Sequence, residues 1–143
     1  MLALDIQHVR MKQHATDKAQ ALQCLVDILV EDQLVTPDYI HGLTGREQQS
    51  ATYLGQGIAI PHGTPQSRQY ILKTGIRLAH FPEGVVWDGE NKIYLAVVIA
   101  AKSDEHLQVL QILTRALIND VADQVKQAQS AEQIIALLQA QPA

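Results

Sequence analysis

The sequence predicts an α/β protein, a three-layer α/β/α sandwich in which helices flank a mixed sheet. Three observations predict it. The run Ile93–Ala101 is apolar without alternation and rich in Val and Ile, as in a central strand covered on both faces. Shorter strand-like stretches, Ile58–Ile60 and Thr74–Phe81, precede it. Segments with helical periodicity lie on both sides of these strands, so helices interleave with the sheet and cover it. The 143 residues suit one domain, 1–143, which the sequence allows to be the N-terminal part of a longer multidomain protein.

Taken in order, Asp17–Asp32 reads as the first helix. Leu22, Leu25, Val26 and Leu29 fall at i, i+3, i+4 and i+7 and make one apolar stripe. Thr16 is placed to cap the first turn, and Asp17 to meet the positive end of the helix dipole. A second helix starts at Thr36-Pro37, with Thr as N-cap and Pro at the first helical position, and runs to about Leu43 or on to Gln48. Gly42 and Gly45 weaken it by about 1 kcal/mol each. Ile58–Ile60 is a short buried strand that ends at Pro61, which has no N–H to donate, and Gly63-Thr64-Pro65 then turns the chain. In Thr74–Phe81, Ile76, Leu78 and His80 share one side and Arg77, Ala79 and Phe81 the other. Pro82-Glu83-Gly84 and Trp87–Asn91 read as turns on either side of a short connection into Ile93–Ala101. Ser103 then caps a helix from Asp104 to about Ile118, with Leu107, Leu110, Leu113 and Leu117 facing inward. A last helix follows Ser130, where Ser130 and Gln133 have capping-box spacing and Ile134, Ile135, Leu137 and Leu138 face the core.

Composition narrows the function. Apolar residues make up 47% and charged residues 18%, which excludes a disordered chain. Eleven basic and fifteen acidic residues leave a net charge of −4 with no Lys/Arg run, so no grip on nucleic acid is expected. A single cysteine, Cys24, forbids an internal disulfide; it fits a reducing cytoplasm and a small core residue. The longest apolar run falls short of the roughly 18–20 residues that a membrane helix needs. No P-loop, dinucleotide-binding, nucleophile-elbow or zinc-protease motif is present and a single cysteine cannot build a Cys-type zinc site, so nucleotide, dinucleotide and serine-hydrolase readings lose most of their support.

Six histidines remain as candidates for chemistry. His8, His14 and His41 fit surface or capping positions, and His80 alternates with core residues. His62 and His106 stand at strand-to-helix junctions, the edge where open α/β sheets bind ligands. Two histidines alone make a poor zinc site, and a metal would need Asp104 or Glu105 as well. The other option is a nucleophilic histidine. Imidazole is largely unprotonated at neutral pH, can attack phosphorus, and would then need donors and positive charge for the phosphoryl group. Arg46, sixteen residues before His62 at the end of the second helix, is the best-placed cation. Both options stay open on local pattern, alongside a purely structural domain.

The stretch Leu54-Gly55-Gln56-Gly57-Ile58-Ala59-Ile60-Pro61-His62-Gly63, separated from Glu47 by six residues, resembles the phosphohistidine signature of enzyme IIA domains of the mannitol/fructose type. These belong to the bacterial phosphoenolpyruvate:sugar phosphotransferase system. Arg46-Glu47-Gln48, Leu72-Lys73-Thr74-Gly75, Phe81-Pro82-Glu83-Gly84-Val85, Ser103-Asp104-Glu105-His106-Leu107 and Leu113-Thr114 extend the likeness from about Ile6 to Leu138. It is most similar to fructose-type IIA domains that precede an HPr-like domain. The resemblance implies a mixed-sheet α/β/α fold and a phosphoryl carrier that needs no metal or nucleotide. It implies His62 as acceptor through Nε2, His106 as a hydrogen-bond donor to the phosphoryl oxygens, Arg46 as the neutralising cation and Thr52 as a further hydroxyl donor. It also implies HPr or an HPr-like domain as phosphoryl donor and a IIB domain as acceptor, working with a membrane IIC permease. A regulatory IIA domain of the nitrogen type, signalling by its phosphorylation state, is the alternative.

Overall fold

The computed structural model describes residues 5–104, 107, 108, 111 and 121–139. In chain order the strands are β1 (Val9–Arg10), β2 (Tyr53–Gly55), β3 (Ile58–Ala59), β4 (Gly75–Asp88) and β5 (Asn91–Ala100). Among the described residues the helical elements include α1 (Lys18–Glu31), α2 (Tyr39–Gln49), α3 (Ala122–Gln127) and α4 (Ala131–Gln139), with short 3-10 helices at Ile6–His8 and Pro65–Tyr70. One sheet runs in the order β1-β4-β5-β3-β2. Its β1/β4 and β3/β5 pairs are parallel, and its β4/β5 and β2/β3 pairs antiparallel, so the sheet is mixed as expected.

Alternation along the two long strands separates two cores. Ala79, Phe81, Ala96, Val98 and Ala100 pack under α1 and α2, against Leu22, Leu25, Val26, Leu29, Tyr39 and Leu43. Ile76, Leu78, Leu95, Val97 and Ile99 pack on the opposite face with Val125, Ile134, Ile135 and Leu138 of α3 and α4. Helices therefore cover both faces, and β5 is buried on both, as its unbroken apolar run requires. His80 is a core residue, its Nε2 2.7 Å from the Val125 carbonyl, which ties β4 to α3. Cys24 is half-buried and donates to Gln13 Oε1; burial and then the Asp27 charge push its thiol pKa up, as suits a packing residue.

Local chemistry departs from the sequence expectations in several places. Asp17, not Thr16, caps α1: its Oδ1 accepts from the Gln20 N–H at 2.9 Å, while Gln20 Oε1 accepts from the Thr16 N–H. α4 starts the same way, with Ser130 Oγ accepting from the Gln133 N–H and Gln133 Oε1 accepting from the Gln129 N–H. A side chain in the first turn thus reaches back past the cap residue in both helices. α2 begins at Tyr39 because Thr36-Pro37-Asp38 winds more tightly, with i→i−3 bonds from Tyr39, Ile40 and His41. Pro82-Glu83-Gly84 does not end a strand. β4 continues through it as a large bulge, between the His80–Leu95 and Val85–Ile93 pairs, and Gly84 takes φ +77 there. Across the sheet the Tyr94 and Leu95 N–H groups both donate to the Gly57 carbonyl, so β5 is irregular at the same level. β1, β2 and α3 are too short for periodicity to reveal. Leu107 is exposed rather than inward; Leu110, Leu113 and Leu117 lie outside the described residues.

Two polar clusters tie the helical layer to the sheet. The Glu47 carboxylate, almost fully enclosed, accepts from Lys18 Nζ at 2.8 Å, from the Thr52 N–H and from the Thr52 hydroxyl. Asp32, just past the end of α1, takes Arg10 Nη2 at 2.6 Å and Arg77 Nε at 2.5 Å, clamping β1 and β4 to the helix. Burial pushes the Asp32 carboxyl up, but the Arg77 hydrogen bond and the two guanidinium charges outweigh it and hold it below the ordinary range. A depressed carboxyl supplies stability that is complete above its unfolded pKa and drains as pH falls through the folded one. Asp32→Asn should therefore cost about 1–3 kcal/mol at neutral pH. Its stability should also fall less than that of the parent as pH drops below about 4. Urea unfolding at several pH values checks both; parallel pH curves for the two proteins would contradict the assignment.

Candidate functional site

His62 sits where the sequence places it, at the carboxyl end of the inner strands. Beyond β3 the chain stays beside β5: the Ile99 N–H donates to the Pro61 carbonyl at 2.9 Å, and His62 forms a parallel bridge with Ile99. The ring's Nδ1 lies 3.0 Å from the Ile60 carbonyl oxygen. A carbonyl only accepts, so this contact puts the proton on Nδ1 and the lone pair on Nε2. Ile60 is itself held, its N–H donating to the Thr52 carbonyl at 2.9 Å.

The loop after His62 is fixed from below by a residue the sequence reading passed over. Tyr39, buried at the start of α2, accepts the Gly63 N–H on its hydroxyl at 3.0 Å and donates that hydroxyl to the Ile99 carbonyl at 2.9 Å. Burial pushes its pKa up to about 12, against the opposing pull of the Gly63 N–H and the Arg68 charge. The hydroxyl therefore keeps its proton, and its donor role, at any physiological pH. Close packing completes the seat. A Cβ at Gly63 would stand 2.2 Å from Ser67 Oγ and 2.8 Å from Tyr39 Cε1, and one at Gly42 would stand 2.2 Å from Ser67 Oγ. Gly42, which weakens α2 on propensity, lets the helix approach the His62 loop. Thr64 caps the 3-10 helix: its Oγ1 accepts from the Ser67 N–H, and its carbonyl accepts from Ser67 Oγ at 2.7 Å.

A small cavity of about 20 Å³ opens beside His62, room for a single water-sized group. Tyr39, His62, Thr64, Arg68 and Ser103 supply its polar lining. Arg68 donates to Asp104 Oδ1 at 2.8 Å. Arg46 and Thr52 are not among the lining residues. Arg46 Nη1 donates to the Ser50 carbonyl at 2.8 Å, at the end of its own helix. Its neighbour Gly45 lies against Thr64, which puts the Arg46 backbone next to the His62 loop. The Thr52 hydroxyl is buried and bonded to Glu47, and its link to the site is the carbonyl that holds Ile60. His106 lies outside the described residues. Among the described residues no three His, Cys, Asp or Glu side chains gather as metal ligands would, and no helix is long and apolar enough to cross a membrane.

Tyr39 and Arg68 are the site residues that sequence reasoning missed. The signal for Arg68 was its position six residues after His62, in a turn opened by Thr64-Pro65. Tyr39 gave a fainter one, a tyrosine at the start of a helix with no visible partner for its hydroxyl.

A strand-end imidazole with its lone pair fixed on the outer nitrogen, beside a guanidinium, defines a nucleophile suited to anionic groups. Comparison with known proteins shows the family: the chain belongs to the one described as phosphoenolpyruvate-dependent sugar phosphotransferase system, EIIA 2, whose model matches residues 3–141. It is 46% identical over 139 residues to the multiphosphoryl transfer protein of Vibrio cholerae serotype O1, covering 96% of this chain. The chain spans only 35% of that protein's length. Among solved structures it is similar to the IIA mannitol crystal structure from Escherichia coli, with TM-score 0.85 and 33% identity over 96% of this chain and 99% of that one. It is equally similar to the same domain in a complex of enzyme IIA(Mtl) with phosphorylated enzyme IIB(Mtl), with TM-score 0.86 and 32% identity over 96% and 98% of the two chains.

Tyr39→Phe would leave the half-buried Gly63 N–H and the buried Ile99 carbonyl without their shared partner. The expected loss is about 1–3 kcal/mol, read from urea unfolding. Unchanged stability would show that the hydroxyl bridge does not hold the loop.

Proposed function

We propose that the chain is a phosphoryl carrier of the sugar phosphotransferase system, taking the group from phosphorylated HPr or an HPr-like domain onto His62 Nε2. It then passes the group to a IIB domain, which with a membrane IIC permease phosphorylates incoming fructose or mannitol. The chain acts as one IIA domain at the cytoplasmic face. The observation that carries this reading is the contact between His62 Nδ1 and the Ile60 carbonyl, in a chain of this family.

That contact sets the chemistry. The Nε2 lone pair attacks phosphorus while the N–P bond of the donor's phosphohistidine breaks in line. The bonding pair returns to the donor ring, which, protonated at its other nitrogen, leaves as neutral imidazole. His62 becomes a phosphoimidazolium whose Nδ1–H still donates to the Ile60 carbonyl, so no proton crosses the interface. The reverse sequence hands the group to the IIB domain. A loose phosphoryl transition state asks for positioning and charge more than for covalent help. The Tyr39 bridge and the Gly42–Gly63–Ser67 packing provide the positioning. His106 donates to the phosphoryl oxygens, Arg46 adds positive charge where partners dock, and Thr52 supports His62 through Ile60.

Mixing the chain with phosphoenolpyruvate, enzyme I and HPr should add one acid-labile phosphoryl group by intact mass, and His62→Ala should add none. A folded parent chain that stays unmodified would refute the reading. His106→Ala should still be phosphorylated, but roughly ten- to a hundredfold more slowly. An unchanged rate would remove His106 from the site.

A further inference from the structure

One wall of the cavity beside His62 is an arginine held in an ion pair that the relay as described does not use. Arg68 comes from the 3-10 helix after His62, and Asp104 from the segment after β5; Arg68 Nη2 and Asp104 Oδ1 meet at 2.8 Å. Arg68 lines the His62 cavity, as does Ser103, the neighbour of Asp104. The guanidinium charge reaches the Tyr39 hydroxyl, which holds the residue next to His62. The side chains of Arg68 and Asp104 are 35% and 73% exposed. A pair this open is weak and can exchange partners.

We propose that Arg68 is the phosphoryl-binding cation of this site and that Asp104 is its counter-ion in the resting protein, the two together setting how strongly the chain retains a phosphoryl group. The proposal rests on His62 as acceptor. A phosphoryl group on Nε2 brings nearly two negative charges and three acceptor oxygens, a better match for a planar guanidinium than one carboxylate. Arg68 therefore turns from Asp104 to the phosphoryl oxygens, and the exposed carboxylate returns to water. Each phosphorylation then gains a guanidinium contact and loses an ion pair, and each onward transfer does the opposite. A carrier that must both accept and release the group needs such a balance. An unopposed arginine would favour acceptance and slow release.

The test is the equilibrium constant for phosphoryl exchange between phosphorylated HPr and the 143-residue chain, read by intact mass at neutral pH. Arg68→Gln should lower it by roughly tenfold, and Arg68→Lys by less. Asp104→Asn should raise it by about two- to fivefold. In the double variant the Asp104→Asn gain should vanish, and added salt should shrink the single-variant shifts. A merely structural role would not move the two variants in opposite directions. Arg68→Gln without a shift would overturn the proposal. So would an Asp104→Asn gain of equal size with and without Arg68, which would mean direct repulsion. A parent chain that accepts no phosphoryl group refutes the His62 reading itself; acceptance with unshifted variants refutes only this one.

Discussion

The Tyr39 hydroxyl joins three parts of the chain that are far apart in sequence: the start of α2, the turn after His62 and the end of the central strand. It donates to the Ile99 carbonyl and accepts the Gly63 N–H, so each neighbour satisfies one of its two roles. The position of His62 follows from this. His62 stands one residue from a bond anchored on β5, and β5 is the strand that both cores bury. The imidazole is borne by a loop, but the loop inherits the rigidity of the best-packed element. The missing side chains at Gly42 and Gly63 serve the same end, because a methyl at either would push Ser67 away and open the seat.

A second chain of contacts reaches His62 from the other side. Lys18 and the Thr52 hydroxyl satisfy the Glu47 carboxylate, the Thr52 carbonyl holds the Ile60 N–H, and the Ile60 carbonyl orients the imidazole. A buried carboxylate in the helical layer is thereby coupled, through two backbone groups, to the tautomer of His62. Lys18 also lies 5.2 Å above the Trp87 ring, which brings the far end of β4 into the same cluster. The ionic contacts of the helical layer thus serve geometry as much as stability.

Much of this could be read from the sequence, for identifiable reasons. The two-faced burial of β5, the split faces of Thr74–Phe81, the apolar stripe of α1 and the position of His62 all follow from residue type and period. What periodicity could not reach were features made by contact between distant segments. Strands of two or three residues have no period. The stretch Pro82-Glu83-Gly84 has turn residues, yet the partner strand keeps it in the sheet as a bulge. Asp17 outcompetes Thr16 as a cap because of where Gln20 reaches. Arg46 was the visible cation, since a helix end is easy to place, whereas Arg68 gains its place through the 3-10 helix and its pairing with Asp104. Thr52 was read as a hydroxyl aimed at the pocket; its buried partner, Glu47, is five residues earlier, a closeness that only the loop between α2 and β2 creates.

The sheet ends on β1, two residues long, and β2, three residues long. Strand addition needs a run of open N–H and C=O groups along an edge, and stubs this short offer almost none. A strand from another protein, or from a second copy of the chain, therefore finds little to pair with on either stub.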